Sequence, residues 1–291
     1  MIRTRVREAL TPWMFLLLPL AGYLLMTVYP ILRSMYLSLT AWNGFSPTKP
    51  WVGLANYRFL VNSLEFRQAL QNNVLWVSLF VSIPITAGFL LALCLEKDSR
   101  LNTALRLVFY APMAVSFAVL AITWGWVYEP TQGLLAEVLR LFHIVPPIQS
   151  LLTNERTSVW ATAIVAIWQW TGFPMMVYIS AIKSIPTELF EAAKIDGASY
   201  AQQVRHITIP QVTNSTIVVM CIAAINALRI FDLVYMMTQG YRKSDVLSVL
   251  MWRQSFEFFE IGRGASIAVV QFLVIACIVV PILYYQFVSK D

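Results

Sequence analysis

A reaction centre in this chain would have to be assembled from its two histidines, its three cysteines or a pair of its carboxylates. His143 and His206 are isolated and fall in segments that read as loops, so neither makes a metal site or a nucleophile–base pair. Cys94, Cys221 and Cys277 sit deep in apolar stretches, without zinc-ligand spacing or a pairing pattern, and read as small core hydrophobes. No GxxxxGK[ST] run occurs, and Gly262-Arg-Gly264 lacks the context of a phosphate-cradling loop. No two carboxylates converge on an apolar pocket. The expectation is a chain that is not an enzyme by itself, with no catalytic residue, no metal site and no cofactor of its own.

The residues that demand explanation are charges in apolar surroundings. Arg229 and Asp232 are the only charges that fall inside a long apolar segment, and their i, i+3 spacing puts them on one helix face, where they can pair. A charge at membrane depth marks a pathway residue by default. The competing reading is a structural pair near a helix end, snorkelling to water. Asn226, one turn earlier, carries an amide that can both donate to and accept from a polar substrate. Trp124, Trp126, Tyr128, Trp168, Trp170, Tyr235 and Trp252 offer flat faces for stacking, or else form the aromatic belt and the packing between helices.

The elements that must position these residues follow from composition. Hydrophobic residues are 58% of the 291 and charged residues 12%, against roughly 45–50% and about 25% in soluble chains. So few charges cannot supply a polar skin, and the chain belongs in a membrane. The net charge of +6 is spread thinly between apolar runs, with no basic stripe to track phosphates, so nucleic acid is excluded as a partner. Six windows free of Lys, Arg, Asp and Glu reach spanning length: 9–32, 68–95, 107–128, 157–182, 206–228 and 264–289. Trimmed, they place spans at 12–32, 74–95, 107–128, 158–182, 211–236 and 264–288 of a single transmembrane domain covering 1–291. The stretch 34–48 is too short and reads as an outer helix or loop. Pro84, Pro112, Pro174 and Pro281 interrupt spans, as proline commonly does in membrane helices. Strands of alternating polarity do not occur, which excludes an outer-membrane barrel.

Arg3, Arg5 and Arg7 precede the first span, whose apolar run is too long for a signal peptide and lacks a small-residue cleavage site. With the amino end inside, inner and outer segments carry ten Lys and Arg each, but the inner ones total about 54 residues and the outer about 98. Basic density then places both termini in the cytoplasm.

Between spans four and five, residues 184–210 form more than a passive connection. Pro186 and Thr187 suit a helix start, with Glu188 and Glu191 near its positive end. Gly197 sits where a left-handed residue ends that helix. Ser199 and Gln202 have capping-box spacing for a second, whose Tyr200, Val204 and Ile207 make one apolar stripe. Pro210 is expected to stop it before span five. Such a cytoplasmic hairpin either lies in the lipid headgroups or docks a soluble partner, and the low relief of Ala192 and Ala193 favours docking.

Glu191-Ala-Ala-Lys-Ile-Asp-Gly-Ala-Ser, followed by Ile207-Thr-Ile-Pro210, resembles the EAA loop of permease subunits of binding-protein-dependent ABC importers. More narrowly it is similar to the maltose-type and glycerol-3-phosphate-type sugar permeases. Val52-Gly-Leu-Ala-Asn-Tyr57, Tyr110-Ala-Pro112, Trp124-Gly-Trp126, Gly133-Leu-Leu135, Ala181-Ile-Lys-Ser-Ile-Pro-Thr-Glu188, Phe231-Asp-Leu-Val-Tyr-Met-Met-Thr238 and the stretch 256–268 follow in the expected order.

The resemblance implies an all-α membrane protein with six transmembrane helices and a cytoplasmic coupling-helix pair, 187–208, between spans four and five. It implies that Glu191, Ala192, Ala193, Asp196 and Gly197 enter a cleft on an ATPase subunit. It also implies a second homologous permease, two ATPase subunits that hold ATP and Mg, an external substrate-binding protein, and a location in the plasma (inner) membrane of a prokaryote. The substrate would be a sugar, a polyol or a glycerophosphate relative, with Asn226, Arg229, Asp232 and Trp124 as pathway candidates. The family's TxGGP run is Thr238-Gln-Gly-Tyr-Arg-Lys here, an altered outer loop, and a proline common after the coupling helices is replaced around Thr213-Asn214. The alternatives are a stand-alone secondary transporter, which would favour internal repeats and several buried carboxylates, and an intramembrane enzyme, which would need a nucleophile and base.

Overall fold

The computed structural model describes residues 13, 15–144, 151–154, 157–238 and 242–288; Arg3, Arg5, Arg7 and residues 239–241 of the altered outer run lie outside them. In chain order the helices are α1 (Phe15–Ser38), α2 (Ala55–Asn62), α3 (Leu64–Leu95), α4 (Arg100–Ala114), α5 (Phe117–Val127), α6 (Leu134–Leu141), α7 (Ser158–Lys183), α8 (Thr187–Ile195), α9 (Tyr200–Leu228), α10 (Asp232–Met237), α11 (Leu247–Trp252) and α12 (Ile261–Val288). Five of them, α1, α3, α7, α9 and α12, are long and apolar enough to cross a membrane; α4 and α5, a bent pair, qualify together and make six if the pair is one span.

The described residues fall into two compact units. One runs to Ser63 and includes Met251–Val270. There the Val52–Tyr57 motif closes the end of a helix. The buried Asn56 amide donates to the carbonyls of Ser38 (2.8 Å) and Thr40 (3.0 Å), and the Tyr57 hydroxyl meets Ser38 Oγ at 2.7 Å. These bonds satisfy the open carbonyls where α1 ends. The stretch 34–48 is therefore helix to Ser38 and loop beyond.

The other unit, Leu64–Leu250 with the described residues from Gln271, is built around α3. Ala69, Asn73, Trp76, Phe80, Pro84, Gly88, Ala92 and Leu95 recur at three or four residues, share one helix face and are buried. This face packs along both halves of α7 and along α9. Cys221 is buried, but Cys94 and Cys277 are exposed, which corrects their reading as core residues.

Span three is not the single helix expected over 107–128. Its limbs α4 and α5 meet at 99°. Pro112 lies in a 3-10 turn, Val115 is extended, and Ser116 accepts from Val119 N–H to cap α5. The carbonyl of Val115, freed by the break, accepts 2.9 Å from the Gln169 amide of α7. Pro84 and Pro281 lie inside continuous helices, Pro174 lies in the first turn after the one-residue interruption at Thr171 that divides α7, and Pro112 lies at the sharp break.

The bend depends on how closely α4 approaches α7. A Cβ built on Gly172 would lie 2.3 Å from the Phe109 carbonyl oxygen and 2.8 Å from Tyr110 Cα. Backbone must move to admit it, so Gly172→Val should destabilise the chain by about 1–3 kcal/mol or more. The check is a lowered thermal midpoint of the detergent-solubilised protein, with Gly125→Ala, a glycine with open space around it, as the neutral control.

Candidate functional site

The hairpin between α7 and α9 is built by local rules. Pro186 flanks the start of α8, Glu188 sits in its first turn and Lys194 in its last, each matching the sign of the helix dipole. None of its residues is buried. Its end is a Schellman turn: Ala198 N–H reaches the Ala193 carbonyl at 2.8 Å, and Gly197 N–H the Lys194 carbonyl at 3.1 Å. That geometry puts Gly197 at φ +77°. A Cβ there would meet nothing within 4 Å, so glycine is required by the backbone and not by packing. The Ser199–Gln202 capping box is complete, with Ser199 N–H donating to Gln202 Oε1 at 2.7 Å and Gln202 N–H to Ser199 Oγ at 3.4 Å.

Two expectations fail here. Pro210 does not stop the second helix, because α9 runs unbroken from Tyr200 to Leu228. Val204–Thr208 forms a π-turn immediately before it. The wider turn relieves the clash between a proline ring and the carbonyl four residues earlier. His206, expected in a loop, therefore lies on this helix, with Nδ1 3.0 Å from the Gln202 carbonyl.

Of the sequence-derived residues, Glu191, Ala192, Ala193, Asp196 and Gly197 come together on the outside of this hairpin. Ala193, Asp196 and Gly197 line a shallow concavity of about 350 Å³ with Ala198, Gln202 and His206. Leu189 and Ile195 are exposed on the same helix, Ile195 by 87%.

The pathway candidates are dispersed. Span five, expected over 211–236, ends at Leu228, so Arg229 and Asp232 do not share a helix face. Arg229 is the C-cap of α9, and Asp232 opens the separate helix α10. Both are exposed, and among the described residues they form no ion pair with each other. Two distant side chains close this end: Gln271 donates to the last helical carbonyl, Leu228 O, at 2.9 Å, and Ser248 to Ile230 O in the link to α10. Asn226 is exposed on α9, on the side that carries Gln211, Asn214 and Val218. Trp124 is half-buried and packed, 5.6 Å from Trp168 edge-to-face and 5.4 Å from Tyr128. That is a core position.

Sequence reasoning missed two groups. Asn72 Nδ2 donates to the carbonyls of Lys243 (3.0 Å) and Asp245 (2.8 Å), while Asn73 Oδ1 accepts from Leu247 N–H at 2.6 Å, opening α11. Two adjacent amides inside a charge-free window were the available signal. The second group is Asp98 with Arg106 and Lys183. Asp98 Oδ1 accepts from Lys183 Nζ at 2.6 Å and from Arg106 Nη1 at 3.2 Å. These bonds, that from Lys183 above all, hold its carboxyl below the usual carboxylate range. The bridge is complete at neutral pH and is lost as pH falls through that lowered value. Among the described residues no group of three or more His, Cys, Asp or Glu is placed to hold a metal ion.

Residues 84–290 match the family model described as "Binding-protein-dependent transport system inner membrane component". The chain is 34% identical to the alpha-glucoside transport system permease protein AglF of Rhizobium meliloti, over 97% of this chain and 83% of that one. It is 31% identical to a probable ABC transporter permease protein of Pyrococcus horikoshii, over 90% and 91%. It is 28% identical to the trehalose/maltose transport system permease protein MalF of Thermococcus litoralis, over 94% and 92%. In fold it is similar to a chain of a bacterial alginate ABC transporter solved with an alginate pentasaccharide-bound periplasmic protein, with a TM-score of 0.83 at 21% identity over 99% of this chain and 98% of that one.

Because Asp232 is exposed and, among the described residues, in no ion pair, Asp232→Ala should leave the amount of assembled protein unchanged. The expected stability change is below about 1 kcal/mol, the contribution of an acidic residue in a first helical turn. Quantifying solubilised protein by size-exclusion chromatography tests this, and a loss of assembly would restore the structural-pair reading.

Proposed function

Since this chain belongs to the binding-protein-dependent transport system inner membrane components and is a multi-pass permease subunit of an ABC importer, we propose that its α8–α9 hairpin receives the stroke of an ATPase. Glu191, Ala192, Ala193, Asp196 and Gly197 form the docking segment. ATP and Mg are held on two ATPase subunits, a second homologous permease completes the pathway, and an external binding protein delivers the substrate. Both termini face the cytoplasm, on the side of the hairpin. Nothing in the geometry favours a stand-alone transporter or an intramembrane enzyme.

The observation that carries this reading is the continuity of the hairpin with a span. α8 is exposed along its length and ends in a fixed turn, and the next helix runs from Tyr200 through Pro210 to Leu228 without a joint. A push on the turn is delivered to span five as the movement of one rigid element. Alternating access then follows when ATP closes the ATPases and the spans open toward the binding protein.

The substrate we propose is a neutral mono- or oligosaccharide or a related polyol. Support comes from relatives whose names specify alpha-glucosides and trehalose or maltose. A phosphorylated substrate would want convergent Arg or Lys in the cavity, and among the described residues Arg229 stands as a single candidate. Asn226 and Arg229 are among the exposed polar groups of α9 and its cap, with Gln211 and Asn214 on the same helix. Uptake by the whole complex, competed with alpha-glucosides against sugar phosphates, decides the class.

Gly197 provides the decisive variant. Valine at φ +77° is strained by about 1–2 kcal/mol, yet its Cβ meets no atom of this chain within 4 Å. Gly197→Val should therefore insert normally while ATPase co-purification and uptake fall together. Gly197→Asn, which tolerates the left-handed region, should retain both in large part. Full docking with full uptake in the valine variant would overturn the coupling assignment.

A further inference from the structure

The connection between α3 and α4 is held as firmly as a helix, and by one side chain. Arg106, on α4, donates from Nε and Nη2 to the Leu95 carbonyl (2.9 and 2.5 Å), and from Nη2 to those of Glu96 (2.9 Å) and Lys97 (3.1 Å). Its side chain is only 13% exposed. A guanidinium thus closes the negative end of the α3 helix. Ser99 caps the start of α4, and the Asn102 amide donates to the Lys97 carbonyl. The loop 96–99 is thus tied to both helices that it joins.

Asp98 projects from this fixed loop and reaches Lys183, the last residue of α7. Only residues 184–186 separate Lys183 from the start of α8. One carboxylate oxygen therefore links a rigid loop, joined through Arg106 to α3 and α4, to the point where the hairpin leaves span four. Beside the bridge lies a cavity of about 580 Å³, lined on the hairpin side by Phe190, Lys194, Tyr200 and Gln203. Ile185 and Phe190 pack the root onto apolar residues of α3, α7 and α9, and on the open side facing the cavity the Asp98–Lys183 bridge is the polar tie.

We propose that Asp98 is a positioning residue for energy coupling. Through Lys183 it pins the root of the hairpin to the α3–α4 loop, so that a stroke on α8 moves spans two, three and four together instead of being absorbed in residues 184–186. The inference rests on the docking role assigned above to the hairpin. Global stability depends little on Asp98, because an exposed ion pair contributes little to folding. Its effect is on which bodies move as one.

The test uses the full complex, reconstituted with its ATPase and binding protein, and reads substrate transported per ATP hydrolysed. Asp98→Ala and Lys183→Ala should each lower that ratio by about two- to fivefold, the population shift one exposed pair commands. ATPase co-purification and the thermal midpoint should stay unchanged. The double variant should be no worse than either single one, and Asp98→Glu should keep most of the ratio. An unchanged ratio in both single variants, additive losses in the double, or lost co-purification in either would overturn this inference alone. A wild-type complex that retains no ATPase, or one indifferent to Gly197→Val, would overturn the docking reading and this inference with it.

Discussion

A backbone carbonyl that loses its helical partner in hydrocarbon has no water to turn to, and leaving it unpaired is worth several kcal/mol against the fold. This chain breaks or ends its helices repeatedly at or near membrane depth, and at the main breaks a side chain from elsewhere supplies the missing partner. Gln169 takes the Val115 carbonyl where span three bends. Gln271 takes the Leu228 carbonyl where span five stops. Arg106 takes three carbonyls at the end of α3, and Asn56 takes two at the end of α1. Remove these closures and the straight apolar segments have no reason to bend where they do.

Where no closure is needed, the helices are uninterrupted, and that shapes how force can travel. Pro210 would ordinarily break a helix, yet the π-turn at Val204–Thr208 lets α9 pass through it. The hairpin and span five are consequently one lever. The first limb of span three is pressed against α7 so closely that Gly172 has no room for a side chain. Packed elements of this kind shift as units and do not deform continuously, which is what a transport stroke requires of the parts that carry it.

The chain also displays what it lacks. The window of α1 that meets the membrane has no buried residue, and that of α12 is buried for only 17%. Asn226, Gln211 and Asn214 stand open on α9, and the hydroxyl-bearing Ser78, Ser82 and Thr86 are exposed at four-residue intervals on α3. Lipid can cover the apolar faces at no penalty. Polar side chains at membrane depth are better matched by protein or by a wetted cavity, consistent with a subunit that supplies half of a pathway.

What the sequence determined alone is what depends on near neighbours. Hydropathy over twenty residues fixed the number of crossings once the bent pair is counted as one. The Schellman turn at Gly197 and the capping box at Ser199 were legible because each is decided within six residues of chain. The Asn56 motif was visible, but its role in closing α1 was not. The sequence misplaced the end of span five and the stop at Pro210, it marked Pro112 as an interruption of span three without its sharp bend, and it joined Arg229 to Asp232 as a pair. Tertiary structure decided these points, because the deciding groups lie far off along the chain. Gln271 is 43 residues from the carbonyl it closes, Gln169 is 54 from its own, and Lys183 is 85 from Asp98. Hydropathy and spacing carry no term for such contacts; only the packed helices bring the donor to the orphaned acceptor.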